Sequence, residues 1–382
     1  MRLEQIDIRN FRNHERTVLE CGDGLNVLLG ENGQGKTNVV EAVAYLSLTK
    51  SFYASSDAVV LRIGEEQFDL QGRFRADGGT RWVVDARYER PSGRKSISIN
   101  KETAQTLASV VGQFPAVVLS PEQNGITFGA PTERRKFLDL ALSQASSVYL
   151  EELLEYRRIL RQRNKILLDA KLARRDCSEL LEPWDISLIQ TGADLMLRRM
   201  RFIEGFRGRV CEAYEMLAGE TEDPSLMYEP SFSCNEAGDP ESIRIRFEEE
   251  LRLHEDEERR AGSTVVGPHR DELDFSLGGK TLRKFASQGQ HKTFLIALKL
   301  AEFGYLMEAR SETPILLLDD VFSELDERRS HRLMEGVPSL GQVFITTTDE
   351  RFFPETTAWN SIHRRYSIRE GRVVNAEAAA IH

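Results

Sequence analysis

The sequence predicts an α/β head with a mixed sheet, joined to a mainly helical second lobe with a short arm, and three observations carry that expectation. Short apolar runs at Leu25–Leu29, Ile315–Leu318 and Val343–Thr346 lie beside helical patterns at both ends of the chain. Runs of this kind fit strands buried on both faces of a mostly parallel sheet. A Gly-rich turn follows the first run at once. From about Pro131 to Leu217, by contrast, Leu, Arg and Glu dominate with helical spacing. The head is therefore expected to be discontinuous, 1–120 and 265–382, with the helical lobe at 121–264.

In chain order, Leu25–Leu29 is a strand, the Gly-rich turn a loop, and Lys36–Leu46 a helix. Alternating stretches at Phe68–Phe74, Trp82–Tyr88 and Ser96–Ile99 are separated by Asp77-Gly78-Gly79 and Pro91-Ser92-Gly93. They are expected to form antiparallel hairpins. After the helical region, Leu226–Phe232 and Ile243–Phe247 are expected as strands, followed by a charged helix and a turn at Gly262–Asp271. A helix from about Gln290, the strand Ile315–Leu318, a helix near Glu327 and the strand Val343–Thr346 close the pattern.

The 382 residues are 40% hydrophobic and 29% charged, which excludes disordered and collagen-like classes. The first residues, MRLEQIDIRN, lack the apolar core of a signal peptide, and no window approaches a membrane span. A cytosolic protein with no membrane partner is expected. Cys21, Cys177, Cys211 and Cys234 are too scattered for a zinc site and read as structural thiols. Net charge is −10, but unevenly spread. Arg157 to Arg175 holds eight basic residues against one acidic, and Arg198 to Arg209 five against one. Such runs are either solvated helix faces or phosphate contacts. Arg161, Arg163, Lys165, Arg198 and Arg199 are the candidates for DNA binding.

Gly30, Glu31, Asn32, Gly33, Gln34, Gly35, Lys36 and Thr37 fit G-x-x-x-x-G-K-[ST] between a strand and a helix. Glycines let backbone N–H groups turn inward around phosphates, and the helix N-terminus adds its positive dipole end. Lys36, expected to be solvent-facing, reaches for the β- and γ-phosphates, and Thr37 for Mg2+. A carboxylate at the end of a buried strand must complete the metal site, and Ile315-Leu-Leu-Leu-Asp319-Asp320 supplies it. Asp319 is the expected metal ligand, and Asp320 the catalytic residue that orients or deprotonates the attacking water. No guanine-reading NKxD is present, so the cofactors expected are ATP and Mg2+. Ser287-Gln288-Gly289-Gln290 has the form of a capping box opening a helix.

With GENGQGKTN, SQGQ, LLLDDVFSELD and VGPHRDEL together, the sequence resembles the RecF family, recombination-mediator ATPases related to SMC proteins and ABC-type heads. The resemblance spans essentially the whole chain, and Pro121-Glu122, Gly129-Ala-Pro131 and Arg134 to Asp139 also carry it. Thr127 departs from it, where an aliphatic residue is expected. The resemblance implies an ABC-type P-loop NTPase head. Ser287, Gln288, Gly289 and Gln290 would be the signature motif acting in trans on the opposite subunit of an ATP-dependent homodimer. Ser323, Glu324, Leu325 and Asp326 would be the D-loop. Arg12 resembles the N-terminal arginine that SMC-like heads turn toward nucleotide, with an ordinary surface arginine as the alternative. Gln123 is the candidate Q-loop metal ligand, in competition with Glu122. His269 and Arg270 are candidates for lining the nucleotide or DNA surface, or for a purely structural turn.

Asp320 and Thr348 stand where transporters carry Glu and a switch His, which implies slow hydrolysis. The resemblance further implies a weak DNA-dependent ATPase of replication, recombination and repair, including the SOS response. It would bind duplex and single-strand/duplex junction DNA near the nucleoid, partner RecR and RecO, and help load recombinase onto gapped DNA. The competing class is a transport ATPase subunit; the length of the helical insertion speaks against it.

Overall fold

The computed structural model describes residues 1–219, 222–233, 239–349, 353 and 362–377. They form two compact units, the first 1–124, 213–221 and 287–382, the second 125–212 and 222–286. The first unit holds two six-stranded sheets. One is antiparallel, in the order His14–Glu20, Arg2–Phe11, Gln67–Arg75, Arg81–Glu89, Arg94–Ile99, Glu102–Thr103. The other runs Arg372–Glu377, Arg364–Arg369, Leu25–Leu29, Val343–Thr347, Ile315–Asp319, Ala116–Leu119. It is parallel except for its first pair, hence mixed. Leu25–Leu29, Ile315–Asp319 and Val343–Thr347 are buried at every residue, as their unbroken apolar runs predict.

The helix Lys36–Leu48 touches strands of both sheets. It has almost no polar face because it is covered all round, with Val39 through Leu48 buried. Its N-terminus emerges at the carboxyl ends of the parallel strands, where open α/β sheets place ligands.

In the second unit, Ser147–Ala173 runs antiparallel to 178–212 of the helix Ser178–Ala218. Glu152 pairs with Arg198 at 2.7 Å, and Arg163 with Asp185 at 2.6 Å. A helix of 27 residues spans about 40 Å, which makes the arm short. A three-stranded sheet pairs Pro224–Glu229 with Glu272–Leu277 and the latter with Lys280–Thr281. That pairing draws 265–286 into the second unit, although the sequence pattern assigns those residues to the head.

Ile243–Phe247 is not a strand but lies within the helix Pro240–Leu253. Alternating Ile243, Ile245 and Phe247 suggests a strand, yet Ile245 is 53% exposed, whereas Ile243, Phe247 and Leu251, four residues apart, are buried. Asp239 caps the helix by accepting from the N–H groups of Glu241 and Ser242, and Pro240 fills the first turn. Cys234 lies outside the described residues. No helix of the described residues is long and apolar enough to cross a membrane.

Candidate nucleotide-binding site

The phosphate loop follows Leu29 and ends at Gly35, whose positive φ of 107° sets the entry to the helix. Lys36 does not face solvent. It is 8% exposed, and Nζ donates to the carbonyls of Gly30 at 2.7 Å and Glu31 at 2.8 Å. Burial lowers its pKa, while Asp320 and Asp319 oppose that shift. The ammonium thus folds back over the loop itself.

Asp319 ends its strand at 1% exposure and accepts two hydroxyl hydrogen bonds at Oδ1, from Thr37 at 2.8 Å and from Thr346 at 2.7 Å. Desolvation raises its pKa and the two hydroxyls pull it back. A buried carboxylate answered by hydroxyls suits a hard divalent cation such as Mg2+. Thr37 and Asp319 are thereby brought together across the loop.

No motif singles out Thr346, yet it joins both aspartates. Its Oγ1 also accepts from the backbone N–H of Asp320 at 2.9 Å. The signal lies in sheet register, because Asp319 is aligned with Thr346 on the neighbouring parallel strand. Asp320 has φ 50°, a left-handed conformation that Asp tolerates better than most residues. Thr348, at the expected switch position, is exposed, while the hydroxyl of Thr347 accepts from the N–H of Asp349 at 3.1 Å.

In the turn Pro121–Asn124, Glu122 is exposed, whereas Oε1 of Gln123 is buried and lacks a hydrogen-bond partner among the described residues. Asn124, Ser120, Lys292, Asp319 and Asp320 line a cavity of about 20 Å³, room for roughly one water.

In the segment expected to be the D-loop, Ser323 Oγ donates to the carbonyl of Asp320 at 3.0 Å. Asp326 caps the helix Glu327–Gly336, accepting from the Arg329 N–H at 2.8 Å, and its carboxylate also holds the Arg329 guanidinium at 3.0 Å. Leu325 reaches the cavity. At the start of the helix Gln288–Arg310, Ser287 Oγ accepts from the Gln290 N–H at 3.3 Å and Gln290 Oε1 from the Ser287 N–H at 2.8 Å, a complete capping box. Ser287 and Gln288 are exposed. Gly289 leaves room for Arg329, whose Nη1 would lie 3.0 Å from a Cβ there.

Arg12 is held by Glu41, with two hydrogen bonds of 2.7 Å from Nε and Nη2. Glu41 is buried one helical turn beyond Thr37 and also accepts from Ser51 Oγ. The guanidinium is therefore tied to the phosphate-loop helix by a carboxylate that no motif marks.

In the second unit, two of the five candidate DNA contacts are not at the surface. Arg163 and Arg199 are each 2% exposed. Arg163 pairs with Asp185 and Glu258, and Arg199 with Asp139 and Asp271. Charge runs do not distinguish such internal cations from solvated ones. Arg198 is half spent on Glu152, while Arg161 and Lys165 are exposed. His269 is likewise engaged inside this unit, with Nδ1 at 2.7 Å from the Tyr156 hydroxyl and Nε2 at 3.1 Å from the Thr264 carbonyl. Arg270 is exposed. Thr127, the departure from the family pattern, is buried at 2% exposure.

A family model described as the RecF/RecN/SMC N terminal domain matches residues 2–369. The DNA replication and repair protein RecF of Chloroherpeton thalassium is 42% identical over 358 residues, 93% of this chain and 97% of the relative. The protein of the same name from Salinibacter ruber is 39% identical over 375 residues, 97% of this chain and 91% of the relative. A solved structure of the recombination mediator protein RecF with ATP, in the RecFOR pathway, matches with a TM-score of 0.90 at 30% identity, covering 98% of this chain and 97% of that one. An SMC head bound to the C-winged helix domain of ScpA shares the fold, at a TM-score of 0.56 and 14% identity. With sequence identity of this extent over nearly all of both chains, the protein belongs to the RecF family.

Proposed function

We infer that the protein is an ATP-dependent DNA-binding protein of recombinational repair. ATP drives two copies together, duplex or single-strand/duplex junction DNA is held by the dimer, and slow hydrolysis resets it. The observation that carries the reading is the shared hydrogen-bonded cluster of Thr37, Asp319 and Thr346 beside Lys36. The solved RecF structure with ATP supports the same ligand here.

Loop amides and Lys36 would bind the phosphates, and Lys36 would exchange its loop carbonyls for phosphate oxygens. Thr37 and Asp319, with Gln123, would hold Mg2+, which neutralises phosphate charge when bound. Asp320 would orient or deprotonate the attacking water. Exposed Ser287 and Gln288 face outward from a helix N-terminus, which suits a γ-phosphate on a second copy. Ser323 ties the D-loop to the Asp320 carbonyl, a route by which pairing reaches the hydrolytic site. RecR and RecO are the partners proposed, with recombinase loading on gapped DNA as the outcome, in the cytoplasm at the nucleoid.

Calorimetric titration with Mg-ATP, beside sedimentation with and without ATP, tests this. Wild type should bind ATP and dimerise in it; Lys36→Ala should lose binding, and Ser287→Arg should bind ATP but stay monomeric. Full dimerisation of Ser287→Arg would refute the trans role. Unchanged affinity of Lys36→Ala would refute the site.

A further inference from the structure

The front of the phosphate loop explains what ATP would touch; its rear face explains why the loop is shaped before ATP arrives. Three pieces of chain converge there, the turn after Arg2–Phe11, the loop itself, and the turn between Arg364–Arg369 and Arg372–Glu377. The carbonyl of Gln34 accepts from the Gly371 N–H at 2.9 Å and from Asn13 Nδ2 at 3.2 Å. The Gln34 side chain accepts from the Glu370 N–H at 2.7 Å. The next carbonyl, of Gly35, meets Nε2 of His14 at 3.0 Å.

His14 is 0% exposed, and its other ring nitrogen lies 2.8 Å from Thr17 Oγ1, which in turn reaches the Gly371 carbonyl at 3.1 Å. A carbonyl cannot donate, so Nε2 carries the hydrogen. Burial lowers the proton affinity of the ring. In the neutral ring Nδ1 accepts from the Thr17 hydroxyl, which also lies against the Gly371 carbonyl.

A peptide group is planar and trans, so its C=O and N–H point in opposite directions. Holding the carbonyls of Gln34 and Gly35 from behind therefore aims the N–H groups of Gly35 and Lys36 forward, into the anion-binding concavity. The fit leaves no room for side chains: a Cβ on Gly371 would lie 2.3 Å from the Asn13 carbonyl oxygen, and one on Gly35 2.5 Å from Asn13 Oδ1.

We propose that Asn13, His14 and Gly371 are positioning residues for nucleotide binding, a rear latch that orients two successive phosphate-loop amides toward the phosphates. The inference rests on the loop being the ATP site. It requires that loss of the latch weaken ATP and ADP alike, since both carry the phosphates that loop amides meet.

Calorimetry with Mg-ATP and Mg-ADP on His14→Ala, His14→Gln, Asn13→Ala and Gly371→Ala tests it, with unfolding midpoints measured alongside. His14→Ala should weaken both nucleotides about 5- to 10-fold, the effect of losing one well-placed hydrogen bond, and Gly371→Ala should do the same because its Cβ pushes the turn away from the Asn13 carbonyl and its N–H off Gln34. His14→Gln, whose amide nitrogen can take the place of Nε2, should recover part of it. In amide NMR spectra, the shift of Gly35 and Lys36 on ADP addition should be smaller in the weakened variants. A merely structural role would lower the unfolding midpoint and leave affinity and amide shifts of the folded protein as in wild type; that result overturns the latch. If His14→Ala does not fold, exposed Asn13→Ala decides by the same readouts. A wild type that binds neither nucleotide overturns instead the reading of the loop.

Discussion

Two buried acidic centres in this molecule are built alike and do opposite things. In the first unit, Asp319 is buried and receives its hydrogen bonds from the hydroxyls of Thr37 and Thr346. In the second, Asp139 and Asp271 are met by the Arg199 guanidinium, with Tyr149 donating to Asp139 and Tyr228 to Asp271. Neutral donors stabilise a carboxylate without cancelling its charge, which is what the metal role proposed for Asp319 requires. An arginine cancels it on the spot. The second centre is closed, and its effect is to pin the Gly267–Asp271 turn, whose Pro268 carbonyl also accepts from Arg199 at 2.6 Å.

The sharpest break between the two centres is catalytic. Asp320→Asn should leave ATP binding and dimerisation intact while hydrolysis falls about 10²–10⁴-fold, the usual contribution of a general base or water-positioning group. Retention on duplex DNA should lengthen. ATP affinity, dimer fraction and dwell time on this one variant are the measurements, and normal turnover would remove Asp320 from the mechanism.

Next in size, Arg199→Ala should destabilise the second unit by about 3–5 kcal/mol, because it leaves buried Asp271 without its guanidinium and Asp139 with Arg157 alone. Hydrogen exchange should show the loss in 125–212 and 222–286, while ATP affinity of the folded protein stays unchanged. A matching drop in ATP affinity would mean that the closed centre is not separate from the nucleotide site.

His269 gives a pH test of the second unit. Burial lowers its pKa to about 4, so between there and 6.5 the unfolded chain binds more protons than the folded one. Stability must therefore fall as pH drops through 6.5 toward 4, by up to about 3 kcal/mol at 1.36 kcal/mol per unit. His269→Gln should flatten that part of the denaturant-midpoint profile against pH; an unchanged slope would assign it to other groups.

The smallest effect expected is at the surface. Joint reversal of exposed Arg161 and Lys165 should weaken duplex binding at low salt and reduce the salt slope by about 0.9 for each phosphate no longer neutralised. No change in the slope would leave these residues as a solvated face.

How much was legible in the sequence depends on how local each signal is. The phosphate loop, the Asp319 strand and the Ser287–Gln290 box are short runs whose chemistry and backbone requirement coincide. Thr346 is set by register between neighbouring strands, and Glu41 by a helix face turned toward Arg12; neither has a motif. Arg163 and Arg161 look the same in a charge run, and only the packing of Ser147–Ala173 makes one internal and the other solvated. Ile243–Phe247 shows the remaining ambiguity, since five residues of alternating pattern are also the start of a period-four stripe.

The left-handed backbone at Asp320 has a consequence for what can stand there. Asp and Asn enter that conformation more readily than longer or branched side chains. A glutamate, with its longer reach to water, would have to be accommodated against the preference of the turn. The choice of carboxylate is then inherited from handedness: one peptide turn, fixed by Thr346 and Ser323, favours the shorter acid, and with it the shorter lever, at this position.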